Sequence, residues 1–384
     1  LERKTSIDQY MIDADLNNLE EGRELNPLAF SRNDYPCPDE VLEFVLSHNS
    51  EPAKRIDLKE LSLNGKVIKD GMEEYLSKKR ISSGCLKAAL KTPLSFMYEY
   101  ERTFEKKNVP HFELGTYAHM AFLEPERFEK VAPAPSVNLS TKEGMLTMID
   151  FYRTLEGKRK YTFNGKMQDL KKRLEKYKAR CTHQVIDPEH FEIIRALKNN
   201  YYWYGGGIIP MLLKGATAET SFYGKDPETG LELKVRPDFF NISENIGVNA
   251  VISFKTTRAD SIGKFSYDCA KHMYELTEGM YQEVMSNVTG RKFNVTIMIM
   301  LQTIPPYQPA VLFWSPEDIQ LGKYKYHQAL SIVRECFEKK SFQIGFDAKA
   351  PKGQCGIIDF ELPDWAKKEI HPTAIDGDYE EDNN

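Results

Sequence analysis

Val235-Arg-Pro-Asp238, a polar loop at 241–247, and then Asn249-Ala-Val-Ile-Ser-Phe-Lys255 form the stretch whose reading decides the fold. Residues 231–238 read as one strand, and 249–255, almost continuously apolar, as a central strand beside it. Side chains alternate along a strand, so Ser253 and Lys255 share a face. A lysine inside an apolar strand is costly unless it is paired or reaches a polar cleft. Taken singly, Asp238 reads as a turn residue and Lys255 as an edge-strand lysine. On adjacent strands, with a helix following, they read better as a catalytic pair.

Outward from this stretch, 216–223 is a further strand, closed by the turn Asp226-Pro-Glu-Thr-Gly230. Residues 265–288 read as one helix ended by Gly290, and 293–302 and 310–314 as two more strands. Ser315-Pro316 opens a long last helix to about Lys340. Three strands of antiparallel meander, a helical crossover to a parallel strand and a final strand give a mixed five-stranded sheet flanked by helices. Upstream, helices are expected at 39–47, 70–78, from Ser83, at 94–103 and at 114–123, the last started by Gly115-Thr116. Residues 140–200 form a helical insertion, with helical spacing clearest at 166–178 and 188–199. The expected organisation is an N-terminal extension at 1–78, a main domain at 79–345 and a C-terminal segment at 346–384 ending in an acidic tail.

The chain has 384 residues and a formal net charge of -5, which argues against a surface that coats duplex DNA indiscriminately but leaves room for a local basic channel. Its six cysteines form no CxxC pair, so no zinc ribbon or iron–sulfur cluster is expected. No long apolar run is present, and a soluble cytoplasmic protein is expected. Gly205-Gly206-Gly207 lacks the residues of a nucleotide-binding loop and reads as a hinge. The preceding Tyr201-Tyr-Trp-Tyr204 reads as core packing before base stacking.

The Pro-Asp step followed by a strand lysine resembles the core of the PD-(D/E)xK nucleases. A finer resemblance rests on Gly115-Thr-Tyr-Ala-His119 with Phe122-Leu-Glu-Pro-Glu126, on Ala218-Glu219-Thr-Ser221, on Arg236-Pro-Asp238, on Phe254-Lys-Thr-Thr257 and on Tyr274 with Tyr281. In order and spacing, over about 80–345, this set resembles the RecE-like phage exonucleases. The resemblance implies a divalent cation, Mg2+ or Mn2+, held by Asp238 as principal ligand and closed by His119. It implies Lys255 as the group that orients water or stabilises the transition state, and Glu219 as an auxiliary carboxylate. It places Tyr281 and Thr277 near the DNA backbone, and leaves Arg236 either on a phosphate or paired with an acid. The implied partners are double-stranded DNA ends, a single-strand annealing protein and further copies of the chain in a ring, with no membrane.

Two positions depart from that pattern. Ser253 stands where the second metal-binding carboxylate belongs, and Thr277 where the family has glutamine. Three consequences are open at this point. The chain has lost cleavage and kept DNA binding or assembly. Or the acid has migrated to the following helix, as in some restriction endonucleases with serine at this position; that helix carries Asp268, Glu275 and Glu278, and Glu278, beside Thr277, is the expected metal ligand with His119, Asp238 and Ser253. Or Glu219 suffices beside Asp238 and His119.

Overall fold

The computed structural model describes residue 32 and residues 35–101, 110–158 and 165–340, without the side chains of 110–113. The acidic tail, Cys355 and most of the first 34 residues lie outside the described residues. Among the described residues, the strands in chain order are β1 Lys66–Ile68, β2 Val131–Pro133, β3 Gln184–Ile186, β4 Thr217–Ala218, β5 Ser221–Lys225, β6 Glu232–Val235, β7 Phe239–Asn241, β8 Ala250–Thr257, β9 Val295–Gln302 and β10 Pro309–Phe313. The main sheet has the order β10-β9-β8-β7-β4. β8 pairs parallel with β9 and antiparallel with β7, so the mixed five-stranded sheet with a helical crossover is as the sequence implied. A smaller sheet, β1-β5-β6, stands beside it.

The two long strands expected at 216–223 and 231–238 are each broken in two. Glu219 takes a left-handed backbone, φ 50°, between β4 and β5. Pro237, which has no N–H to give a ladder, separates β6 from β7. Ala218 pairs with Phe239 on one side of this bend and Phe222 with Val235 on the other, so both segments turn together into the second sheet. The bend collects Glu219, Arg236 and Asp238. Apolar alternation alone does not reveal it, because both halves keep their buried faces.

β8 is buried on both sides. Ala250, Ile252 and Phe254 join Ile297, Ile299 and Leu301 in one core. Val251, on the opposite face, joins Leu276, Met280 and Val284 of the helix Tyr274–Thr289 in the other. Ser253 and Lys255 continue that second face toward the cleft. Leu61 and Val67 enter the same core, and β1 edges the small sheet, so part of the N-terminal extension packs into the body.

Further corrections concern helices. The expected single helix at 265–288 is two, Ile262–Lys271 and Tyr274–Thr289, separated by Met273 at φ 48°. No glycine or proline announces that break. Gly115 and Thr116 do not start their helix, which runs Pro110–Leu123. Gly115 serves a close approach instead: a Cβ there would sit 3.1 Å from Thr256 Oγ1 at the end of β8. The helix Pro316–Lys339 crosses Tyr274–Thr289 at two glycines. A Cβ on Gly322 would lie 2.0 Å from the Glu275 carbonyl oxygen, and one on Gly279 2.8 Å from the Lys323 nitrogen. Gly322→Ala is expected to force these helices apart and lower stability by about 1–3 kcal/mol, read as a lower urea midpoint at unchanged slope.

Candidate active site

Asp238 anchors the site from the bend. Its Oδ2 accepts the Phe254 N–H at 2.6 Å and lies 3.6 Å from Lys255 Nζ. Its Oδ1 lies 3.8 Å from Nδ1 of His119, carried by the helix that Gly115 lets down onto β8. The sequence-expected trio of Asp238, Lys255 and His119 is therefore brought together, and each keeps some contact with solvent. Burial pulls the Lys255 ammonium toward neutrality, but the charges of Asp238 and Glu278 outweigh it and hold the lysine above its ordinary value.

Glu219 reaches the cleft from the end of the neighbouring strand β4, its backbone N–H donating to the Asp238 carbonyl at 2.9 Å. Burial raises its carboxyl above the ordinary range, opposed by Arg236. Arg236 donates from Nε to Glu219 Oε2 at 2.7 Å and from Nη1 to Asp70 Oδ1 at 3.1 Å. Of the two roles open to Arg236, the geometry places it on acids. Asp70, in the extension to which sequence reading gave no chemistry, is the missed member of this cluster. It also accepts from Tyr223 at 2.6 Å and Lys78 at 2.9 Å, and from Ser221. Its only sequence signal was a charged residue before a short helix, which is indistinguishable from a cap.

Ser253 donates its hydroxyl to Glu278 Oε1 at 2.8 Å. Glu278 is wholly buried, and its Oε2 has no hydrogen-bond partner among the described residues. Burial raises its carboxyl, while Lys255 and the Ser253 hydrogen bond pull it down. Of the three helix acids considered, Glu278 alone reaches Ser253. Glu275 instead pairs with Lys325 at 2.7 Å, and Asp268 is on the separate preceding helix. Thr277 is buried with its hydroxyl shut off from water, and Tyr281 is half-buried against the core, its phenol held protonated by burial.

A cleft of about 890 Å³ is lined by Asp238, His119, Glu219, Arg236 and Asp70, and by Glu124–Arg127. Among the described residues, no three His, Cys, Asp or Glu side chains are gathered so as to hold a metal ion. Magnesium-type sites seldom need such a group, since they take one or two carboxylates and fill the rest with water and substrate. The oxygen-rich donor set and the unpartnered Glu278 oxygen fit such an ion.

A PDDEXK-like domain of unknown function, DUF3799, matches residues 82–345. The chain belongs to that family, within the PD-(D/E)xK nuclease superfamily. Two solved structures show distant likeness to the PDDEXK-like chain. A candidate exonuclease from Eubacterium rectale shares 12% identity at a TM-score of 0.42, over 79% of this chain and 100% of its own. The protein SSO0001 shares 13% identity at a TM-score of 0.22, over 62% of this chain and 93% of its own. No curated protein matched it. Among the described residues, no helix is long and apolar enough to cross a membrane.

Proposed function

We propose that the chain is a metal-dependent DNA exonuclease acting on double-stranded ends, in phage-type recombination. The observation that carries the catalytic part is the Ser253–Glu278 hydrogen bond with a free, buried Glu278 oxygen beside it. It supplies an anion where the strand position has lost one. The preference for DNA ends rests on the resemblance to RecE-like exonucleases, as do the annealing-protein partner and ring assembly.

A bound Mg2+ or Mn2+ lowers the pKa of the attacking water and offsets charge developing on phosphorus. Asp238 offers Oδ1, because its Oδ2 is held by the Phe254 N–H. Glu278 offers Oε2, with Ser253 fixing the carboxylate through Oε1. His119 closes the side facing the helix. Lys255 holds a phosphate oxygen or the water by a charge-assisted hydrogen bond. Glu219, steadied by Arg236, keeps an auxiliary carboxylate on the cleft wall.

The test is incubation of the full chain with linear and closed circular duplex in Mg2+ or Mn2+, beside Asp238→Ala and Lys255→Ala. The expected result is loss of linear duplex only, with each substitution reducing the rate by at least about 100-fold. Cleavage of closed circles points to an endonuclease. Duplex binding with no cleavage in either metal points to a nuclease fold kept for binding alone, the outcome that Ser253 would explain.

A further inference from the structure

The helix Ser83–Lys91 brings a second lysine to the corner where Glu278 and Lys255 meet. Lys87 Nζ lies 5.4 Å from the centre of the Tyr274 ring, and Lys255 Nζ lies 5.5 Å from the same centre. Lys87 is half-buried, and among the described residues it has no ion pair. The acids near it, Glu275 and Glu278, form no ion pair with it among the described residues: Glu275 is bound to Lys325, and Glu278 Oε1 accepts from Ser253, which leaves Glu278 Oε2 as the oxygen offered to the metal. An ammonium withdrawn from water beside a like charge is unfavourable unless an anion arrives to share it. Burial accordingly brings Lys87 down to about 8, with Lys255 adding to the effect and Glu278 opposing it. A lysine that merely solvates a helix face extends its ammonium into water. This one holds its ammonium against the Tyr274 ring, which Lys255 also faces.

We propose that Lys87 is a second phosphate-binding residue, taking a backbone phosphate of nucleic acid next to the one that Lys255 contacts. The two ammoniums are point charges sharing one aromatic wall, and together they form a clamp for consecutive phosphates of one strand. Such a contact carries no sequence information and sets the register of the strand on the metal site. The inference rests on the nucleic-acid reading of the cleft, but not on hydrolysis.

The experiment measures binding of a short fluorescent duplex to the full chain by anisotropy, in EDTA so that nothing is cut, across a series of salt concentrations. Wild type is compared with Lys87→Met, which keeps the stem's packing, and with Lys87→Arg. Lys87→Met is expected to weaken binding by about three- to tenfold and to lower the salt slope by about one, with Lys87→Arg restoring most of both. An unchanged affinity and slope in Lys87→Met overturn the proposal, and so does a loss that Lys87→Arg shares in full. A chain that binds through Lys87 yet cuts nothing in Mn2+ keeps this inference and loses the nuclease reading. A chain that cuts while Lys87→Met binds normally loses this inference alone. A chain that binds no duplex loses both.

Discussion

Glu278→Gln is expected to lower the rate of duplex cleavage about 1000-fold, close to 4 kcal/mol of transition-state stabilisation, while leaving the fold intact. The amide preserves the shape of the side chain and can still accept the Ser253 hydroxyl, so what it removes is charge and one ligand oxygen. A burial-raised carboxyl has a second consequence, in stability. A carboxyl with a raised folded pKa is more readily protonated in the folded than in the unfolded state. Stability is therefore fullest below the ordinary value of 4.5 and declines as pH rises through the raised folded value. The glutamine variant lacks this decline. It is expected to melt above wild type at pH 8 and to lose that advantage in acid, checked by melting curves across pH. Activity lost with stability gained marks a charge kept for function. A further arm moves the anion back. Ser253→Asp alone sets two carboxylates against each other and is expected to be nearly inactive, whereas Ser253→Asp with Glu278→Gln restores one charge to the pocket and part of the rate. An active enzyme whose rate is unchanged in Glu278→Gln refutes the migrated-acid reading.

The legible and illegible parts of this molecule divide along physical lines. β8 and β9 were visible because central parallel strands are continuously apolar, and Ser253 and Lys255 declared their common face by their spacing. Asp238, Lys255 and His119 were legible through motif context: Asp238 follows Pro237, Lys255 follows Phe254, whose N–H binds Asp238, and His119 lies one helical turn from Gly115. The bend at Glu219 and Pro237 was not. It is set by a left-handed glutamate and by how two sheets share a hairpin, and neither leaves a periodic trace. The break at Met273 has the same character, and it sets where the Glu278 helix starts. Among the three helix acids, sequence favoured Glu278 only for standing beside Thr277. Only packing of that helix on β8 distinguishes Glu278, because choosing among positions one turn apart needs the rotation of the helix about its axis. Lys87 and Asp70 were invisible for a different reason. Their roles depend on contacts with residues far along the chain, and nothing adjacent to either advertises them.

Asp70→Ala is expected to cost about 3–5 kcal/mol of stability, the usual effect of removing one partner from a buried ion pair. The Asp70 and Arg236 side chains are only 2% and 8% exposed, so water cannot replace the lost carboxylate. Arg236 Nη1 would lose its bond to Oδ1, and the hydroxyls of Ser221 and Tyr223 and the ammonium of Lys78 would lose their shared acceptor. The pH dependence follows from the same contacts. Burial acts to raise the Asp70 carboxyl, but hydrogen bonds from Ser221, Tyr223 and Lys78 outweigh it and hold it below the ordinary 3.8. A depressed carboxylate contributes stability above its unfolded pKa and loses it as pH falls through the folded one. The gap between wild type and variant in urea midpoint should therefore be full at pH 7 and shrink below about pH 3.8. Cleavage should fall as well, since Arg236 bridges Asp70 to Glu219 and a carboxylate freed on the cleft wall no longer faces a fixed point. Conservative repair separates the two effects: Asp70→Asn keeps the one oxygen, Oδ1, that accepts from Ser221 and Arg236, and should recover more stability than rate. The same contacts bear on how far the chain can be trimmed. A chain starting at residue 79 lacks Asp70, β1 and the core residues Leu61 and Val67, and is expected to lose both fold stability and cleavage. Full stability in that truncated chain would mean that the Asp70 cluster sits on the catalytic body without holding it together.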